Sequence, residues 1–322
     1  MPPTLTPIVY ALLAVLGTAT VTGIALKLNP KTRDLGCDVL SRTIAWWFMC
    51  GVIIGCCWHG RGALTICFAL ISFQGLREYF AVTRVRTADQ RALFWSMFVL
   101  LPLQYYLVWI EWYGMFCMFI PVYGFIALTV FACVRGDATD FLARCAKIFF
   151  GVVIIVYFVS HVPALATLQI PAFEGGMFVH EHGEFILFLL IVSQGNDVCQ
   201  YLWGKSLGRH KITPHLSPKK TWEGFIGGVV SSAGIAASLA WLIPFNAWQA
   251  AGFGVAIAVL GFAGDIVMSA IKRDAGIKDY GCMLGGHGGI LDRIDGLAIA
   301  APVFFHLMRY YGDWIAEHQD KL

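Results

Sequence analysis

The chain is short of charge. Lys and Arg number 23 and Asp and Glu 20 in 322 residues. Charged side chains are thus 13% of the total, where soluble domains carry about 25%. With 58% hydrophobic residues, that shortage excludes an ordinary water-solvated domain and makes lipid the solvent for much of the chain. A positive n-region is also missing: Met1-Pro2-Pro3-Thr4 precedes the first apolar run, so that run reads as a retained helix, not a cleaved signal peptide. There is no long linker, no low-complexity segment and no soluble domain. The ten cysteines lack the setting of a disulfide framework. Most lie in apolar runs, with Cys37, Cys145 and Cys282 in polar connections, and they read as small buried hydrophobes. Cys56, Cys57 and His59 match no familiar zinc spacing.

What is present is a succession of apolar windows near the length of about 20 residues that a spanning helix needs. They fall at 6–26, 44–58, 62–80, 93–110, 113–134, 146–167, 185–203, 223–244, 248–271 and 290–311. The expected fold is therefore all-α, a polytopic integral membrane helical bundle of about ten transmembrane helices (9–10), the alternative for residues 44–80 being a hairpin that does not fully span. Alternate connections hold 20 of the 23 basic residues, and only Arg61, Arg309 and Lys321 lie on the opposite side. Positive loops stay in the cytoplasm, which puts both termini outside.

The character changes near residue 190. Before it, charges sit at span ends; after it, Asp and Gly enter the spans. Residues 1–184 read as a transmembrane scaffold with dimer contacts, and 185–322 as the catalytic region with cytoplasmic loops 204–222 and 272–289. In the scaffold, Arg77-Glu78-Tyr79 reads as an interfacial anchor with a local ion pair. The outward loop with Glu174, His180, Glu181, His182 and Glu184 reads as solvated.

Three constellations carry chemistry. The first is Gly195-Asn196-Asp197 in the seventh span. A carboxylate there costs about 2.5–3.5 kcal/mol on insertion scales, so it needs a partner or a task, the plain alternative being a helix-helix hydrogen bond. The second is Lys205 to Gly224, where Lys205, Arg209, Lys211, Lys219 and Lys220 accompany Ser217 and Pro218 at the expected start of a helix. That is a cradle for phosphate oxygens. The third and densest runs from Asp265 and Ser269, one turn apart on a common face, through Lys272, Arg273 and Lys278 to Gly285-Gly286-His287-Gly288-Gly289 and Asp292-Arg293-Ile294-Asp295. The glycines allow close backbone approach and free N–H groups for phosphate. The carboxylates suit Mg²⁺, and carboxylates interspersed with Lys and Arg are the pattern of phosphoryl or nucleotidyl transfer.

These motifs resemble those of the phosphatidate cytidylyltransferases, or CDP-diacylglycerol synthases. The likeness rests on Ser269-Ala270-Ile271-Lys272-Arg273, Gly276-Ile277-Lys278-Asp279, Gly286-His287-Gly288-Gly289 and Asp292-Arg293-Ile294-Asp295, in this order and spacing, with Asn196-Asp197 and 217–224 upstream. It is strong over about residues 190–300 and general before them. Gly285, Gly296 and Gln200 depart from residues common in the family. The reaction the resemblance implies joins CTP and phosphatidic acid into CDP-diacylglycerol, releasing pyrophosphate. It assigns Asp265 and Asp292 first to metal, with Asp197 and Asp295 as further or supporting ligands. Lys219, Lys220, Lys272, Arg273, Lys278 and Arg293 would hold phosphates, and Ser217, Ser269, His287, Gly286, Gly288 and Gly289 would position their oxygens. It also implies Mg²⁺, with a monovalent cation such as K⁺ beside it, a homodimer among membrane lipids, a bacterial inner membrane with the site facing the cytoplasm, and no nucleic-acid partner.

Two rivals remain. A paralogue would use another lipid-phosphate acceptor. An ion-coupled carrier would also place Asp in glycine-broken spans, but no matching motif recurs in the first half as an inverted repeat requires.

Overall fold

Each apolar window becomes a helix in the computed structural model, which describes residues 5–83, 89–134, 138–172, 176–178, 183–281 and 288–318. Among these residues there are ten long helical segments: α1 Leu5–Leu28, α2 Arg33–His59, α3 Arg61–Val82, α4 Gln90–Trp109, α5 Tyr113–Cys133 and α6 Phe141–Thr167, then α7 Glu184–Leu207, α8 Trp222–Ser238, α9 Ala247–Asp274 and α10 Leu291–His318. Two short antiparallel hairpins add β1 Ile170–Ala172 with β2 Gly176–Phe178, and β3 Lys211–Thr213 with β4 Ser217–Thr221. Seven of the helices, α1, α2, α4, α5, α6, α7 and α9, are long and apolar enough to cross a membrane. The protein is a polytopic helical membrane protein.

The second span is not short. It extends over 27 residues from Arg33, so Arg33, Cys37 and Arg42 lie on the helix and not in a connection. Likewise Cys145 lies on α6. The described cysteines are free thiols. The turn between α2 and α3 falls on Gly60, whose φ of 87° is open to glycine at little cost. Arg61 opens α3 and pairs with Glu111.

The packing is sequential in the second half: α7 lies on α8, α8 on α9 and α9 on α10. In the first half α3 packs on α4 and α6, whereas α1 and α2 pair mainly with one another. Helices α4, α5 and α6 each widen into a π-turn, at Ser96–Leu100, Phe119–Gly124 and Val153–Phe158. Such turns leave carbonyls without their usual partner. Ser72 of α3 meets that need at α6, donating to Ile155 O at 2.6 Å.

Local signals end the helices that matter for the site. Asn246 and Gln249 form a reciprocal capping box at the start of α9. At its other end Gly276, with φ of 72°, donates to Arg273 O at 3.1 Å while Ile277 N donates to Lys272 O at 2.9 Å. This paired closure stops α9 just after its basic residues.

Candidate active site

The basic hairpin β3–β4 is where the second constellation folds. Ser217 and Pro218 lie on β4 and not at a helix start, a correction to the expectation above; α8 begins at Trp222, with Thr221 Oγ1 accepting from Gly224 N at 3.2 Å. The base of the hairpin is tied by Glu223, whose carboxylate accepts the N–H groups of Arg209 at 3.0 Å and His210 at 3.2 Å and meets His210 Nδ1 at 2.6 Å. Because successive strand residues face opposite ways, the lysine pair splits. Lys219 is exposed. Lys220 turns inward over the Phe262 ring and places Nζ 2.7 Å from Asp265 Oδ2.

On α9, Asp265, Ser269 and Lys272 follow one helical face. Lys272 Nζ lies 3.0 Å from Asp292 Oδ1 and 3.8 Å from Asp295 Oδ2, bridging the two carboxylates that α10 presents three residues apart. Asp292 Oδ2 in turn accepts the N–H groups of Tyr280 and Gly289, both at 2.9 Å. Both oxygens of Asp292 are thus engaged by the protein, and they fasten the two ends of the glycine-rich connection. Gly288 fits this turn with φ of 81°, and a Cβ there would stand 2.8 Å from Asp292 Oδ2. Arg273 ties the connection to the hairpin, donating to Leu216 O at 3.2 Å and Ile277 O at 3.1 Å. Burial, with the nearby Tyr79 phenol and the carboxylates of Asp292 and Asp295, pushes the Tyr280 phenol up. It therefore stays protonated and donates to Met268 O at 3.3 Å.

Asp295 turns to a different set of neighbours. Its Oδ1 accepts from Gly296 N at 2.9 Å, and Asp265 and Asp197 of α7 are within electrostatic reach of it and of one another. Carboxyl groups gathered in this way suit a hard cation that takes oxygen ligands. Among the described residues no three Asp, Glu, His or Cys side chains converge closely enough to enclose an ion. The crossing of α9 and α10 is tight here because glycine lines both sides: a Cβ at Gly264 would stand 2.6 Å from Asp295 O, and one at Gly296 would stand 3.2 Å from Gly261 O. The neighbouring Asn196 makes the helix-helix bond, accepting from Ser232 Oγ at 3.2 Å. Gln200, one turn on, packs over Gly228.

Lys278 is exposed, and Ser217, Ser269 and Arg293 are half-buried. Gly285, Gly286 and His287 lie outside the described residues, as do Glu174, His180, Glu181 and His182 of the loop expected to be solvated. Glu184 of that loop opens α7 and is buried.

Glu78 is the residue that sequence reasoning misplaced. It is no interfacial anchor: it is 6% exposed, and its carboxylate accepts Ile290 N at 3.2 Å and Leu291 N at 3.0 Å. It satisfies the first donors of α10, the helix that carries Asp292 and Asp295. Backbone from Gly281 and Gly289 presses against it, a Cβ at Gly289 falling 2.2 Å from Glu78 Oε2. The signal was available, since an acid inside an apolar run demands a partner, as at Asp197.

A sequence model of the cytidylyltransferase family matches residues 40–311, an extent that takes in Glu78, the hairpin and helices α9 and α10 as far as residue 311. The chain belongs to the cytidylyltransferase family. Among its relatives, this cytidylyltransferase is 42% identical over 283 residues to the uncharacterized protein YnbB of Escherichia coli, covering 85% of this chain and 89% of that one. It is 38% identical over 135 residues to a phosphatidate cytidylyltransferase of Staphylococcus aureus, covering 40% of this chain and 52% of that protein. It is 32% identical over 188 residues to a phosphatidate cytidylyltransferase of Aquifex aeolicus, covering 58% and 64%.

Proposed function

We propose that this cytidylyltransferase joins CTP to phosphatidate, giving CDP-diacylglycerol and diphosphate. The observation that carries the reading is the alternation of ammonium and carboxylate groups in one place, Lys220 on Asp265 and Lys272 on Asp292 and Asp295. Such an array offers cations to phosphates and carboxylates to a counter-ion side by side.

In the reaction an oxygen of the lipid phosphate attacks the α-phosphorus of CTP. One O–P bond forms, the bridging bond from the α-phosphorus to the β-phosphate oxygen breaks, and diphosphate leaves with the electron pair. The attacking oxygen is already anionic, so no strong base is needed; positioning and charge neutralisation supply the rate. Lys220 and Lys272 would exchange part of their carboxylate contact for phosphate oxygens, with Lys219 and Lys278 capturing the triphosphate at the surface. Asp292 and Glu78 would hold the glycine-rich connection in place.

Mg²⁺ fits the pair Asp265 and Asp295, with Asp197 beside it, where it would supply neutralisation of the triphosphate. Its remaining ligands would be phosphate oxygens and water, the usual habit of this ion. In this reading Asp292 serves as a positioning group. The basic residues collected at this end of the bundle support a cytoplasmic site in an inner membrane, and the exposed apolar faces of α1 and α2 offer surface to a second copy.

The test is purified protein with labelled CTP, Mg²⁺ and phosphatidic acid. The expected product is a lipid carrying CMP, with stoichiometric diphosphate, abolished by chelation and restored by Mg²⁺. Conversion of a different lipid phosphate, with none of phosphatidic acid, would replace the proposed acceptor.

A further inference from the structure

Helices α6 and α9 do not close on each other at the basic end of the bundle. Between them lies a cavity of about 660 Å³, within the range of ligand sites. Val82 of α3, Phe150 of α6 and Ile271 of α9 give it apolar walls, and Lys147 and Asp274 stand at its polar mouth. Beyond it Ile154 and Ile155 of α6 meet Met268 of α9 in a closed seam that ends the cleft. Tyr79 forms the floor, held by donation from its hydroxyl to Lys147 O at 2.9 Å. The Tyr79 ring lies where a side chain at Gly151 would go, since a Cβ there would stand 2.4 Å from it. The gap is therefore built into the packing of α3, α6 and α9.

We infer that this cleft holds an acyl chain and the glycerol end of the anionic lipid phosphate that accepts the cytidylyl group. The inference rests on the cytidylyl-transfer reading and adds where the acceptor binds. Polarity grades across the cleft as it does along a phospholipid, apolar at Val82, Phe150 and Ile271 and charged at Lys147 and Asp274. The cleft adjoins the site across α9, because Ile271 faces the cleft while the next residue, Lys272, about 100° around the helix, reaches Asp292. Lys147 is the cation lining the cleft and Asp274 the acid among the described residues, and Lys272 and Arg273 follow Ile271 on α9. The β3–β4 hairpin with Lys220 reaches α9 on its Asp265 face, so nucleotide and lipid approach from different sides of one helix end.

Two measurements test this. In nanodiscs, phosphatidic acid bearing a diazirine on its acyl chain should label the 146–150 and 270–275 segments that line the cleft, and unlabelled phosphatidic acid should suppress that labelling where phosphatidylcholine does not. Equal suppression by both lipids would mean an ordinary boundary lipid, and labelling confined to α1 and α2 would mean an unused cleft; either overturns the inference. Second, Ala270→Phe and Ala146→Phe, from opposite walls, should each raise KM for phosphatidic acid about tenfold and leave KM for CTP within about twofold. An unchanged lipid KM in two variants of normal melting temperature overturns it as well. Labelling needs no turnover, so selective labelling without any lipid-linked CMP would sink the reaction and leave the lipid site standing.

Discussion

The carboxylate of Glu78 accepts the backbone N–H of Leu291 at 3.0 Å, across 213 positions of the chain. It joins the scaffold helix α3 to the first turn of α10, and so sets where Asp292 and Asp295 stand. Glu78→Ala strands two buried donors, at a cost of about 1–3 kcal/mol. The melting temperature should fall and kcat drop by roughly tenfold or more, about 1.4 kcal/mol of barrier. Glu78→Gln, which keeps shape and one acceptor, should retain most of the stability and part of kcat. A Glu78→Ala variant with wild-type kcat would remove Glu78 from the site's construction.

Gly289 is the counterpart of that contact. A methyl group at this position would stand 2.2 Å from Glu78 Oε2, so Gly289→Ala should lose as much activity as Glu78→Ala. In the double variant the two losses should fail to add, because one contact is broken twice. Independent, additive losses in steady-state rates would contradict the shared contact.

Lys220 and Lys272 are predicted to act on phosphates through carboxylate-held ammonium groups. Lys220→Met and Lys272→Met should each lower kcat/KM by about 10²-fold, the order seen when one donor to a developing charge is removed. Lys219→Met, at the exposed neighbour, should cost far less. Comparable losses at Lys219 and Lys220 would show that the two strand faces do not differ in function.

Gly264 tests the crossing of α9 and α10. Gly264→Ala places a Cβ 2.6 Å from Asp295 O, and overpacking of this kind costs about 1–3 kcal/mol. Separation of Asp265 from Asp295 should also raise the Mg²⁺ concentration needed for half-maximal activity. Gly296→Ser, where the nearest contacts are looser at 3.2 and 3.4 Å, should be milder. Metal titrations of the two variants check the order.

Asp292 and Asp295 share a helix face but are expected to differ. Asp295→Asn should shift the Mg²⁺ titration strongly. Asp292→Asn exchanges one acceptor for a donor beside Tyr280 N and Gly289 N, so it should lower kcat and melting temperature with less effect on apparent Mg²⁺ affinity. Equal shifts in the Mg²⁺ titration would return Asp292 to the ligand set.

The sequence by itself determined the membrane setting, the ten helical segments and the two loops of chemistry, because span length and charge scarcity are local properties of the chain. Local rules also foretold that Asp265 and Ser269 would share a face and that Asp292 and Asp295 would present together. Tertiary structure decided what spacing along one chain cannot encode. Pairing on a strand sent Lys220 inward and Lys219 out. Backbone donors from the loop claimed Asp292, leaving Asp295 beside Asp265. Glu78, distant in sequence and modest in setting, became the acceptor for the start of α10, since a helix end buried against another helix takes its partner from whichever side chain the packing brings near.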